Sequence, residues 1–163
     1  MFKKNTRISW DDYFFEFAEL ASTRTNCLRR KVGAVLVKDK MVISTGYNGP
    51  PRGIPHCLKA GCIRKEENIP SGQRHDLCRG LHAEQNAIIQ AAKNGVNVSG
   101  AHLYCSTKPC SICTKMIINS GITKVFYKQD YDDKFADKIA KQSDVEFIKV
   151  KSCLLYTSDA ADE

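Results

Sequence analysis

Three short runs hold the residues with the most chemical capacity. His82-Ala83-Glu84 places an imidazole two residues before a carboxylate. Pro109-Cys110-Ser111-Ile112-Cys113 places two thiols three apart. Cys57, Cys62, His75 and Cys78 follow the spacing C-x4-C, twelve residues, then H-x2-C. A catalytic zinc takes three protein ligands and leaves a fourth position for water. Two thiols at a helix start can share one metal, because the helix N-terminus favours their anionic form. His82 supplies the third ligand if the two helix starts are neighbours. Glu84 is then spare, and a carboxylate beside a metal-activated water is placed to take and deliver protons. The alternatives are a Cys110/Cys113 redox pair, a purely structural metal site, and a Glu84 that is only a solvated helix-face acid.

Those runs need elements to carry them. Ser9 and Asp12 mark an N-cap, and Trp10, Phe14, Phe17, Ala18 and Ala21 recur at helical spacing, so a helix is expected over about 10–25. Val32–Val37 and Met41–Gly46 read as a hairpin turned by 38–40. Helices are expected over 83–95, 109–120 and 132–142, with strands over 101–106, 123–127 and 145–150. Gly95 and Gly121 suit helix C-termini, and Pro109 suits a helix start. Strands alternating with helices imply an α/β domain of three layers. Its mixed sheet has about five strands, antiparallel at the hairpin and parallel beyond it, with helices on both faces.

Residues 47–80 form a 34-residue irregular stretch, uncommon in a compact domain unless functional. Its Cys57, Cys62, His75 and Cys78 resemble a closed, structural Cys3His zinc site, which would contribute folding free energy to a segment with little apolar content. Unpaired thiols, or His56 or Cys27 replacing one ligand, are the alternatives. Cys27 and Cys105 are then left over, Cys105 as a small buried residue in an apolar strand.

The 163 residues suit one domain, and 42% hydrophobic with 26% charged residues excludes a disordered or collagen-like chain. No apolar run approaches a membrane span, and the N-terminus lacks the apolar core of a secretory signal. A cytoplasmic protein is therefore expected, in which eight cysteines point to metal or catalysis before disulfides. The last eleven residues, 153–163, carry three acids and no base. Codons can be chosen for Cys153 to Asp162 that resemble the end of a transposon-type sequencing adapter, so this tail is read as non-native and the domain as 1–152. Setting its three acids aside raises the formal charge from +7 to +10, which suits an anionic substrate.

H-x-E followed by P-C-x-x-C is the known signature of zinc nucleobase deaminases. The segments SWDDYFFEFAEL, TNCLRRKVGAVLV, TGYNGPP, CRGLHAEQNAI and PCSICTKMIINSGITKVFY resemble the zinc-dependent cytidine/deoxycytidylate deaminase family, specifically its bacterial deoxycytidylate (dCMP) deaminases, competence-operon forms included. The resemblance runs from about Ile8 to Lys151. It implies a cytidine-deaminase-like fold and hydrolysis of dCMP to dUMP and ammonia, supplying thymidylate synthesis. It implies His82, Cys110 and Cys113 as ligands of a catalytic zinc, Glu84 as the proton carrier for attack at C4 of the cytosine, and an additional structural zinc.

For the substrate it suggests Asn48, the backbone of Ser106, and Arg29 as phosphate clamp, with Arg30 the alternative. Tyr127, Lys128 and Tyr131 could wall the pocket or simply pack. It also implies a homo-oligomer activated by dCTP and inhibited by dTTP, with Gly46, Tyr47, Asn48 and Gly49 at the regulatory nucleotide. The competing functions are deamination of another base, such as tRNA adenosine or cytidine, and a non-catalytic zinc protein that binds nucleic acid during DNA uptake. Glu84 separates the last from an enzyme, since a binding module has no use for a proton carrier. No membrane or nucleic-acid partner is expected.

Overall fold

The computed structural model describes residues 7–151, so the expected non-native tail lies outside the described residues. Helix α1 spans Trp10–Ser22; the Ser9 hydroxyl accepts from the Asp12 N–H at 3.1 Å and caps it. It stops three residues short of the sequence expectation. The reason is Thr25, whose hydroxyl donates to both the carbonyl and the side-chain oxygen of Asn48 (2.6 and 2.8 Å). That contact draws the chain away before another turn can form.

Strands β1 (Gly33–Lys38) and β2 (Met41–Tyr47) form the expected hairpin. Asp39 and Lys40 both turn it at positive φ (51° and 61°), the conformation that matches the twist of paired strands. Residues 48–82 are less irregular than their composition suggests. They hold two one-turn helices, α2 (Cys57–Ala60) and α3 (Ile63–Glu66), and a 3-10 turn at His75–Leu77. Helix α4 (Ala83–Lys93), strand β3 (His102–Thr107), helix α5 (Ser111–Asn119), strand β4 (Lys124–Gln129), helix α6 (Lys134–Lys141) and strand β5 (Glu146–Lys149) complete the domain. The strand order is β2-β1-β3-β4-β5. β1 is antiparallel to both neighbours, while β3, β4 and β5 run parallel. The mixed five-stranded sheet with helices on both faces is as expected.

The period-2 alternation of β1 sorts the two cores. Val35 and Val37 join Phe14, Phe15, Ala18 and Tyr104 beneath α1. Ala34 and Leu36 join Leu103, Cys105 and Val125 beneath α4 and α5. α4 meets the sheet through Ala83, Ala87 and Ala91, all buried, so its backbone lies close. Gly46 completes that approach: a Cβ there would sit 2.1 Å from the Ala83 carbonyl oxygen. Gly33 does the same under α1, where a Cβ would sit 1.8 Å from the Ala18 oxygen. The first packing fixes the start of α4 over the sheet, and the second fixes the last turns of α1. Among the described residues no helix is long and apolar enough to cross a membrane.

Candidate active site

α4 and α5 begin side by side, and the residues that begin them are chemical. His82 occupies the N-cap of α4 and Cys110 the N-cap of α5. Gln85 fixes the first, its side-chain oxygen accepting from the His82 N–H at 2.8 Å. Asp133 fixes the second, accepting from the Ser111 N–H at 2.8 Å while also capping α6 through Phe135 and Ala136. His82 Nδ1 then lies 3.3 Å from the sulfurs of both Cys110 and Cys113. Metal bonds of about 2.3 Å to sulfur and about 2.0 Å to nitrogen, at a tetrahedral angle, separate those donors by about 3.5 Å. The three donors therefore fit zinc. Among the described residues they are the group of three or more whose ligand atoms all fall within 4.8 Å of one another.

The electrostatics favour the same ion. Cys110 is drawn down to about 4 by a hydrogen bond from Cys113 and by His82, against the effect of burial. Cys113 is pushed well up by facing that sulfur and by burial. The pair gives its first proton readily and resists the second until a cation arrives. Burial acts to lower the His82 pKa, but Cys110 and Glu84 outweigh it and raise it. Glu84 is 4% exposed, and burial pushes its carboxyl up, opposed by His82. A buried glutamate with a raised pKa is suited to both taking and giving a proton. Cys105 lies fully buried, its thiol pushed well up by burial and then by the nearby Glu84.

His82, Glu84 and Cys110 line a cavity of about 320 Å³, together with Thr107, Arg64 and Tyr131. The substrate-binding expectations sort unevenly around it. Asn48 lines the cavity, but its amide is spent on the chain. It accepts from the Val32 N–H (2.9 Å) and donates to the Arg30 carbonyl (2.9 Å). Arg29 also lines it, yet its guanidinium donates to the Ile69 and Arg64 carbonyls (3.0 and 3.5 Å) and so clasps the loop. Ser106 is buried, its hydroxyl accepting from the Gly33 N–H at 3.1 Å, and the next residues, Thr107 and Lys108, line the cavity. Tyr127 lines a different cavity, with Thr114, Asp137 and Phe147. Tyr131 lines the first one, with the Arg30 guanidinium 5.1 Å from its ring centre.

The loop donors are not gathered as the spacing suggested. His75 turns toward His82, the two rings 4.9 Å apart and edge to face. Its Nδ1 is buried without a hydrogen-bond partner. Cys57 instead feels Cys27 beside Cys62 and Cys78, although no three of these four sulfurs fall within 4.8 Å of one another. The Cys57 thiol is raised by burial and then by Cys27, Cys62 and Cys78, with Arg79 opposing. Cys27 also accepts from the Arg29 N–H at 3.4 Å. The physical reason is the neck of the loop: Gly49 and Leu81 exchange backbone hydrogen bonds (3.1 and 2.9 Å), which brings 49–81 back beside the segment that carries Cys27. Cys27, 30 residues upstream of Cys57, is the alternative ligand that the sequence offered in place of one of the four.

The regulatory candidates have structural duties of their own. Gly46 is closed under α4, Gly49 forms the neck, and the Tyr47 carbonyl accepts from Asn86 at 2.8 Å.

Fold and centre together define the class: a zinc-binding deaminase domain, with its metal donors on adjacent helix starts. The chain belongs to the cytidine and deoxycytidylate deaminase family, whose zinc-binding region matches residues 8–129. Its relatives include the deoxycytidylate deaminase of Schizosaccharomyces pombe, 46% identical over 126 residues, which cover 77% of this chain and 39% of that one. ComE operon protein 2 of Bacillus subtilis is 39% identical, over 85% of this chain and 70% of its own. The chain thus spans about two fifths of the fungal relative and most of the bacterial one. Among solved structures, the dCMP deaminase of cyanophage S-TIM5 in complex with dCMP and dUMP is similar at a TM-score of 0.72. It is 31% identical, covering 90% of this chain and all of that one.

Proposed function

We propose that the chain hydrolyses dCMP to dUMP and ammonia. The observation that carries this reading is Glu84: a buried carboxylate lining the same cavity as His82 and Cys110, two residues from one metal donor. A non-catalytic binding protein has no need of it. The choice of dCMP is supported by the relatives named deoxycytidylate deaminase and by the phage enzyme that holds dCMP and dUMP at 31% identity.

His82, Cys110 and Cys113 would hold a zinc ion, which would supply Lewis acidity and a water whose pKa lies nearer neutrality. The chain's own residues do the rest. Glu84 takes a proton from water as oxygen adds to C4 of the cytosine, and returns it to N3. Glu84 then carries the proton of the new C4 hydroxyl to the amine, and ammonia leaves as the C4–N bond breaks and the C4 carbonyl forms. The buried setting keeps bulk water from competing for that proton. Incubating the purified chain with dCMP tests the reading. Ammonia and dUMP in equal amounts, abolished by a chelator and restored by zinc, is the expected result; no dUMP from the zinc-loaded chain overturns it.

A second, structural zinc at Cys27, Cys57, Cys62 and Cys78 belongs to the same reading. Arg79 beside these thiols offsets part of the charge that four thiolates bring. Two zinc ions per chain by metal analysis support it, and one removes it. A cytoplasmic location fits metal-binding thiols that stay reduced. Control by dCTP and dTTP through the 46–49 segment, in a homo-oligomer, remains part of the proposal. Activity unchanged by either nucleotide would remove the control, and a monomeric mass in solution would remove the oligomer.

A further inference from the structure

The cavity contains a buried cation without a counter-ion. Arg64, on the one-turn helix α3, is 7% exposed and lines the cavity. Its Nε is buried with no hydrogen-bond partner. One remaining donor reaches the Pro70 carbonyl at 3.4 Å, a long contact. No carboxylate among the described residues pairs with it. Burying an isolated charge is expensive, and natural chains meet that cost when an opposite charge completes the site.

Two occupants inside the protein can be set aside. The loop thiols have Arg79 as their basic neighbour, and Arg64 is not among the charges felt at Cys57. The acids nearest in sequence, Glu66 and Glu67, make no ion pair with it. The charge of Arg64 is felt at His75, His82 and Tyr131, on the cavity side, and at Asp76, whose carboxylate is already paired with Arg74. Its backbone is held in place as well. The Arg64 carbonyl accepts from the Ile69 N–H at 2.9 Å and from Arg29 at 3.5 Å. Arg30, over the ring of Tyr131, offers a second, exposed guanidinium lining the same cavity.

We infer that Arg64 is the residue that selects a 5′-phosphorylated substrate, binding the phosphate inside the cavity with Arg30 beside it, while Arg29 only holds the loop that carries it. A planar guanidinium with unspent donors matches phosphate oxygens in geometry and charge. This inference rests on the dCMP reading and deepens it: Glu84 and the metal donors act on the base, and Arg64 admits nucleotides over nucleosides.

The test compares the zinc-loaded wild type with Arg64→Met and Arg64→Lys. Initial rates are measured on dCMP and on deoxycytidine, with inorganic phosphate as competitor. Arg64→Met is expected to raise KM for dCMP by about tenfold to a hundredfold, as loss of a charge-assisted hydrogen bond does. The preference for dCMP over deoxycytidine should fall by a similar factor, and competition by phosphate should weaken. Arg64→Lys should recover part of both. An unchanged preference in Arg64→Met, or an equal loss on both substrates, overturns the inference. If Arg64→Met does not fold, Arg64→Lys decides: a KM rise confined to dCMP supports the assignment, and an unchanged KM overturns it. If the wild type deaminates no dCMP, the functional reading fails alone. The clamp is then judged by whether inorganic phosphate raises the melting temperature of the wild type and not that of Arg64→Met.

Discussion

The chain carries two sets of soft donors, and they are built on opposite principles. His82, Cys110 and Cys113 stand at the starts of α4 and α5, helices pressed onto one sheet face by buried alanines and by Ile117. Their ligand atoms all lie within 4.8 Å of one another. Cys57, Cys62 and Cys78 stand on or beside single helical turns in a loop, and Cys27 reaches them from another segment. The first set is positioned by the fold, so an ion adds chemistry. The second is positioned loosely, so an ion would add structure.

Substitutions can break or sharpen that contrast. The largest effect is expected for Glu84→Gln: turnover should fall by about a thousandfold while the zinc content stays unchanged, checked by steady-state rates beside metal analysis. Retained turnover would remove Glu84 from proton transfer. Cys110→Ser should lose the catalytic ion and its activity while the melting temperature moves little, because the helices hold the site without it. Cys57→Ser should do the reverse. It should lose metal and lower the melting temperature by several degrees, with the remaining folded enzyme still turning over. Equal losses of stability in both variants would erase the distinction.

Two smaller effects probe the scaffold of the first set. Gly46→Ala drives a Cβ to within 2.1 Å of the Ala83 oxygen and 2.5 Å of the Ala87 nitrogen, so α4 must shift. A cost of about 1–3 kcal/mol by denaturant unfolding is expected, with loss of rate as His82 and Glu84 move. Asp133→Ala removes the acceptor that joins the start of α5 to that of α6, at about 1 kcal/mol. Burial acts to raise the Asp133 pKa, but the N–H groups of Ser111, Ala136 and Phe135 outweigh it and hold it below the ordinary 3.8. The depressed value means that its contribution is complete above that pH and fades as pH falls through the folded value. Wild type and variant should therefore converge in stability in acid.

The same contrast explains what the sequence disclosed. The α4 and α5 starts were legible because capping residues, apolar periodicity and donor spacing lie within a few residues of each other. The sheet followed from β-rich runs separated by helical ones. The end of α1 was not legible, because Thr25 is drawn off by Asn48, 23 residues on. Nor was the duty of Asn48, whose amide secures Val32 and Arg30. His75 turns toward His82 and away from the loop thiols, a placement set by the neck of the loop and not by the spacing within it. Arg64 carried no signal at all: a basic residue among Lys65, Glu66 and Glu67 reads as surface until its burial is seen.

The hydrogen-bonded pair of Gly49 and Leu81 has a consequence for how such a protein could change. Everything between them leaves the sheet and returns to it through one gate. Closing a flexible loop at that gate costs only about 0.6 kcal/mol more for each doubling of its length. The insert is therefore a cassette. It can be lengthened, shortened or exchanged with little strain on the helices that hold His82, Glu84 and Cys110, so substrate selection can drift while the hydrolytic centre stays where it is.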